Sequence, residues 1–380
     1  MQPEIRFIKS NEEFRRLEPI WNDLLSTSPA NNYFLTWEWL WNWWAVFAET
    51  NDVLWILVVE NGDAIIGIAP FYVRKRFLGG IYPVRRMMFI GTQEHSAGDV
   101  GSDYMDVIYR EGVKKSVFHT IFMAIAEHNM CDEIYLSKMD TASCTFAFFQ
   151  KEARKAGYLA LICDEFVSPY IKLSATWDDY LGTLNSSMRY KIRNERRKLQ
   201  KDGNTEANKV TNAEDLERGF NELSRLHKNR WEAKGREGAF SNPQFNQFHK
   251  RIMPVMLKNG HLELVILSEN GSTKAVLYNI VYNDKIYFYQ SGIDTVDGKA
   301  AYGYVLHSYC IEAAIKRGLR EYDFLPKGQS DDYKLRFAKD RRMVSNLYIA
   351  RAWSAKQFTR ATESARSIYH AVRPLILKVY

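Results

Sequence analysis

The sequence predicts a mixed α/β protein built as two units of similar plan, and three observations carry that reading. Residues 286–325 read strand, Gly-containing loop, helix, strand. In the first half, helical patterns at 113–128 and 143–156 alternate with strand-like runs at 133–136 and 158–162, which implies a mixed sheet with helices packed on it. Both halves repeat one order of helices, strand hairpin, strand, helix and strand, and 380 residues is room for two domains.

Hydrophobic content of 46% with 26% charged residues is that of a water-soluble globular chain. No run reaches the ~18–20 apolar residues a spanning helix needs. The first residues, MQPEIRFIKSNEEF, lack a signal-peptide core, so a cytoplasmic location is expected. Cys131, Cys144, Cys163 and Cys310 are scattered without a CxxC pair, which argues against zinc or a disulfide framework, and no metal is expected. The net charge of +7 suits anionic ligands but is too modest to imply DNA.

In order, residues 5–9 read as a strand, and Ser10-Asn11 caps a helix to about Leu25. A helix over 36–47 carries Trp37, Trp39, Trp41, Trp43 and Trp44 and must be buried on most faces. Strands follow at 53–60, 64–74 and 84–90, the first two joined by Asn61-Gly62-Asp63, and residues 103–107 enter another. His95 sits in a polar, Gly-containing loop. The boundary between units is placed at 164–168, giving domains 1–166 and 167–380.

The second unit opens on a basic helix, MRYKIRNERRKLQK at 188–201, capped by Asn185-Ser186-Ser187. Arg189, Arg193, Arg196 and Arg197 share a face; they form either a solvated surface or a clamp for an anion such as phosphate. A strand to Val210, helices at 212–231 and 243–258, and a hairpin at 262–268 and 274–282 lead to the strand–loop–helix–strand stretch at 286–325. There a strand at 286–289, a helix ending at Gly318 and a strand at 321–325 follow, then a closing strand at 343–351. The tail 354–380 is basic and amphipathic; it either packs on the body or touches an anionic membrane surface.

FLTWEWLWNWW, GIAPFYV and SDYMDVI in the first half, and SSMRYKIRNERRKL, LSRLHKNRW, YFYQSGID, Gly303 and YDFLPKGQSDDYKLRF in the second, share their order with one family. The chain resembles the CelD-like, FemAB-related branch of the GNAT acyltransferases. The resemblance implies two tandem GNAT-like domains and transfer of an acyl or aminoacyl group to an amine. It also implies a donor loop, here Lys299 to Tyr304 with Gly303, which echoes the family's R/Q-x-x-G-x-G/A pattern only in a basic residue and one glycine. Tyr333-Lys334-Leu335-Arg336-Phe337 matches the F/Y-K-x-x-F/W element of Fem-type enzymes, which take their acyl group from aminoacyl-tRNA. The helical arm often found in those enzymes has no counterpart here.

On this reading Asp323 and Lys334 are the candidate catalytic pair, one handling the amine's proton and the other a phosphate or the developing oxyanion. They also read as a plain ion pair. Gly292, Lys299, Gly303 and Tyr304 are the candidate cofactor contacts. Arg189, Arg193, Arg197, His227, Arg230, Trp231 and Tyr333 are the candidate substrate contacts, with His227 also readable as a packed histidine. Three functions stay open: an acyl-CoA-dependent N-acyltransferase (acetyl-CoA the simplest donor) acting on a small-molecule, glycan or lipid amine in envelope or exopolysaccharide synthesis; an aminoacyl-tRNA-dependent transferase; and a non-catalytic binding module.

Overall fold

A computed structural model describes residues 2–78, 82–93, 100–202, 204–295, 301–326 and 333–350. His95, Lys299 and the tail beyond Ala350 lie outside them. The first half contains β1 (Glu4–Ile8), α1 (Asn11–Arg16), α2 (Glu18–Ser26), α3 (Trp37–Phe47), β2 (Val53–Leu54), β3 (Ile56–Asn61), β4 (Ala64–Ala69), β5 (Phe71–Leu78), β6 (Tyr82–Phe89), β7 (Ile108–Tyr109), α4 (Lys114–Glu127), β8 (Glu133–Asp140), α5 (Cys144–Lys155) and β9 (Leu159–Lys172). The second half continues with α6 (Trp177–Thr183), α7 (Ser186–Asp202), β10 (Thr205–Lys209), α8 (Ala213–Glu232), α9 (Pro243–Lys258), β11 (Leu262–Glu269), β12 (Ser272–Tyr282), β13 (Lys285–Ile293), α10 (Ala301–Lys316), β14 (Glu321–Asp323), α11 (Lys334–Phe337) and β15 (Asp340–Ala350).

Local chemistry accounts for most of these limits. Ser10 and Glu13 form a capping box at α1, and Thr36 caps the tryptophan-rich α3. The helix expected from Ser10 to Leu25 is two helices, because Pro19 has no N–H to continue the first. The strand expected at 64–74 is likewise divided at Pro70, and its two parts enter different sheets. Residues 103–107 are not a strand; Tyr104 there is left-handed, with φ +58°.

Strands β1-β3-β4-β7 form a small sheet, and eleven strands form the large one in the order β10-β11-β12-β13-β14-β9-β15-β8-β6-β5-β2. The large sheet has a near-mirrored plan. β13 and β14 run parallel from Lys285/Glu321 to Tyr287/Asp323, and β6 and β8 run parallel from Arg86/Glu133 to Met88/Tyr135. A left-handed residue with φ +58° follows β14 at Leu325 and interrupts β8 at Lys138. The helices α10 and α4 make the crossovers, as parallel pairs require.

The centre of the sheet is an exchange. β9, the last strand of the first half, pairs with β14; β15, the last described strand, lies between β9 and β8. The junction expected at 164–168 therefore falls inside β9 rather than in a linker, at a bulge where Asp164 has φ +49°. Buried Arg86, Glu133 and Tyr348 lock β15 into the first half: Arg86 pairs with one oxygen of Glu133, and the Tyr348 hydroxyl donates to the other at 2.6 Å.

Two cores cover the faces of the second half's sheet. One contains α8, α9, Tyr287 and Tyr289 and continues into the first half through Trp39, Trp43 and Tyr104. The other contains Ile286, Phe288, Tyr322, Phe324 and the packed sides of α6, α7, α10 and α11.

Candidate active site

Successive strand residues point to opposite faces, and this alternation organises the end of β14. Asp323 is fully buried on the face of Tyr104 and Tyr287. Its Oδ2 accepts from Tyr104 Oη at 2.7 Å and from Arg342 Nη1 at 2.7 Å; its Oδ1 accepts from Ser168 Oγ at 2.9 Å and from the Leu325 amide at 2.7 Å. Arg342, from β15, also grips Glu321 through Nη1 at 3.0 Å and Nη2 at 2.7 Å, and stacks 4.1 Å from the Tyr170 ring. Burial pushes the Asp323 carboxyl up; Arg342 pulls it down and Glu321 adds to the rise.

Lys334 lies on the other face. It is 1% exposed, its Nζ donates to the Phe324 carbonyl at 2.5 Å, and it stands 5.2 Å from the Phe288 ring. The ion pair expected between Asp323 and Lys334 is not formed: the carboxylate's partners are Tyr104, Ser168, Arg342 and a backbone amide. The cause is the pleat, which sends Asp323 and Phe324 to opposite sides.

Beyond Asp323, β14 turns at Leu325 while β13 runs on to Ile293, so the two strands part. At the parting β13 bulges. Phe288 faces Asn279 and Gln290 faces Tyr278, leaving Tyr289 as the extra residue. A bulge of this type leaves one residue's backbone groups outside the ladder.

On the Asp323 face, next to this point, lies a cavity of about 280 Å³ between the halves. Tyr104, Asp106, Asp140, Ser143, Tyr287 and Arg342 are among its lining residues. Asp106 is the group in it best suited to proton transfer. Its oxygens accept from the Val107 amide at 2.7 Å and from Ser143 Oγ at 2.6 Å, yet burial dominates and raises its pKa to about 6, with Asp140 adding a small rise. Lys285 and Arg342 also line the cavity, but each is paired with Glu321. Two carboxylates and three tyrosine rings, with the cations already paired, suit a positively charged guest.

The other residues singled out in the sequence are distributed as follows. Gly292 is a packing contact: a Cβ there would lie 2.7 Å from the Leu223 carbonyl oxygen of α8. Gly303 sits in the first turn of α10, where a Cβ would meet Ile293 Cδ1 at 2.7 Å. Tyr304 stacks on Phe337 at 5.4 Å and carries Lys191 Nζ 3.7 Å from its ring, while Tyr333 lies 6.3 Å from Tyr304. His227 is buried; its Nε2 accepts from Trp231 Nε1 at 3.0 Å and its ring meets Phe240 at 4.9 Å. Arg230 is half-buried on α8. Arg189 caps the carbonyls of Gly182 and Leu184, Arg196 pairs with Glu312, and Arg193 and Arg197 are exposed beside Tyr190, which is 68% exposed. None of Arg189, Arg193, Arg196 and Arg197, the face offered as an anion clamp, lines the cavity between the halves.

Sequence reading passed over Arg342, Ser168 and Asp106. Asp106 and Tyr104 lie in SDYMDVI, which carried the resemblance but no assigned role. Arg342 and Ser168 become neighbours of Asp323 only through the exchange of β9 and β15, which no local pattern announces. Among the described residues no group of His, Cys, Asp or Glu is placed to hold a metal, and no helix is long and apolar enough to cross a membrane.

Residues 186–335 match the family model described as Acetyltransferase (GNAT) domain. Comparison with curated proteins finds no match. Among solved structures, FemX is similar over 93% of this chain and 99% of its own, with TM-score 0.60 and 11% identity. A conserved protein of unknown function from Bacteroides thetaiotaomicron aligns over 92% and 100%, with TM-score 0.55 and 12% identity. The C-terminal domain of a putative lysylphosphatidylglycerol synthetase from Agrobacterium fabrum aligns over 94% and 97%, with TM-score 0.51 and 11% identity. At these identities the likeness is one of fold, and it extends over both halves.

Proposed function

Taking residues 186–335 as a GNAT-type acetyltransferase domain, we propose that the chain is an N-acyltransferase that moves an acyl group from an acyl-CoA thioester to an amine held between its halves. The observation that carries this reading is the parting of β13 and β14 beside a cavity in which Asp106 is a carboxylate outside the ion pairs of Arg342 and Lys285. The donor lies along the parted edge, with its phosphates toward the first turn of α10 at Gly303 and Tyr304, where Lys191 supplies a positive charge.

The acceptor enters the cavity as an ammonium ion, and Asp106 takes one proton from it, directly or through water. The neutral nitrogen then attacks the thioester carbonyl carbon. A C–N bond forms and the carbonyl electrons move onto oxygen, beside the bulged edge of β13 at Tyr289. Collapse breaks the C–S bond, and the nitrogen's surplus proton goes to the departing thiolate. Asp323 and Lys334 act as positioning residues in this scheme: each fixes the end of β14 from its own face.

A second reading replaces acyl-CoA with aminoacyl-tRNA. The exposed stripe of Tyr190, Arg193 and Arg197 on α7 favours it, since phosphates and bases bind such surfaces. The test is a panel of acyl-CoAs and small amines in which free thiol release and acylated amine are measured together. Amine-dependent thiol release with a matching mass increase is the expected result. Stabilisation by aminoacyl-tRNA with no response to any acyl-CoA would overturn the first reading in favour of the second.

A further inference from the structure

A second cavity has a larger volume than the one between the halves. It is a trough of about 560 Å³ between the start of α8 and the end of α9, within the roughly 300–1,000 Å³ range of small-ligand sites. Buried Leu216, Phe220 and Met253 form its floor, with Pro254 and Leu257 on its wall. His249 closes one end; its Nε2 lies 3.2 Å from Tyr289 Oη, and burial lowers its pKa to about 3, so the floor there is neutral. The rim carries Lys250 and Lys258 against one acid, Glu217. Lys250 leans over the trough, with Nζ 5.9 Å from the Phe220 ring.

We propose that this trough binds a free fatty acid of medium chain length, its chain on Leu216, Phe220 and Met253 and its carboxylate at the lysine rim. An apolar floor with a basic rim is complementary to a ligand that is a hydrocarbon with one negative end. Length sets the size: nine residue steps of α9 from His249 to Lys258 rise about 13.5 Å at 1.5 Å per residue. An extended chain advances ~1.3 Å per methylene, given C–C bonds of about 1.5 Å, so ten to twelve carbons fill the trough. Through His249 and Tyr289 the occupant would lie one hydrogen bond from the bulge in β13, so the site is placed to report lipid supply to the transferase.

The probe is 11-(dansylamino)undecanoic acid titrated into the full chain and followed by fluorescence. Saturable one-to-one binding is expected, displaced by decanoate and dodecanoate at least tenfold better than by decanol. Met253→Trp, which fills the floor, should abolish it, and Ala213→Trp on the exposed rim does the same without touching the core. Lys250→Glu combined with Lys258→Glu should weaken it about tenfold. No saturable binding, equal displacement by decanol, or unchanged affinity in Ala213→Trp and the charge-reversed variant would each overturn the proposal. So would binding only to anionic vesicles with no competition by dodecanoate.

Discussion

Asp323 and Lys334 sit on opposite faces of one sheet, each bound to the last turn of the same strand. Asp323 accepts the Leu325 amide at 2.7 Å, and Lys334 donates to the Phe324 carbonyl at 2.5 Å. Because β14 pairs over only three residues, these two side chains do much of the work of holding its end beside β13. Lys334→Met keeps the length of the side chain but leaves a buried carbonyl without that donor, which costs about 1–3 kcal/mol. The expected outcome is a melting temperature several degrees lower and acyl transfer reduced through a misplaced strand. Unchanged melting with turnover cut a hundredfold would move Lys334 from positioning to direct contact with the reacting groups.

Arg342 is the partner that the sequence did not supply for Asp323. It spans Asp323 and Glu321, both buried, so Arg342→Met leaves Asp323 without its cation and Glu321 with Lys285 alone. Removing one member of such a network costs about 3–5 kcal/mol. Arg342→Lys should recover little, since one ammonium cannot reproduce contacts to both carboxylates. In the Met variant the Asp323 carboxyl, already pushed up by burial, loses the cation that pulls it down, so its pKa rises further in the folded state. The folded form then holds protons more tightly than the unfolded chain, so stability is greatest at acid pH and falls as pH rises. Urea midpoints measured from pH 5 to pH 8 would reveal a widening gap from the unaltered chain.

The elements were legible where chemistry is local. Ser10, Thr36, Asn212 and Asn242 act as caps because their side chains can meet the free amides of a first turn. Asn270-Gly271 and Gly318 turn where left-handed backbone was needed, with φ from +50° to +77°. The short α6 and α11 were missed, since helices of one or two turns leave little periodicity to read. The site was legible only in part. Asp323 could be singled out as a carboxylate at a strand end, but its partners come from residues 104, 168 and 342, brought together by exchanged strands. The basic face of α7 was visible, while its direction was not: a helix pattern says which residues share a side, not which way that side points.

The exchange of strands makes the halves interdependent. A fragment of residues 1–166 would lack β15 and expose the edges of β8 and β9; residues 167–380 would lose residues 159–166 of β9, which pair with Val344–Ala350 of β15. Unpaired edges of this length aggregate. Each fragment alone is therefore expected to be insoluble or without a cooperative transition, and co-expression is expected to yield a soluble complex. Two fragments that each melt cooperatively would show that the halves are independent units.

Asp106 sets the pH dependence. Its carboxyl is raised from the unfolded value near 3.9 to about 6, so the folded chain binds this proton more tightly than the unfolded one. Stability from this group is fully present below about pH 4 and is lost as pH rises through about 6, leaving a cost at pH 7 of order 3 kcal/mol at two pKa units and 1.36 kcal/mol per unit. Asp106→Asn removes that cost. The variant should melt higher at pH 7, by an amount that shrinks toward pH 4. Activity should move the other way, because Asn cannot accept the amine's proton; a general base contributes about a hundred- to ten-thousand-fold. The unaltered chain's kcat/KM should rise through pH 6, and that limb should vanish in the variant. A residue kept only for packing would change stability and rate in the same direction. A higher melting temperature joined to a slower reaction is what a carboxylate held in a costly state for proton transfer predicts, and equal rates at pH 7 would remove Asp106 from the chemistry.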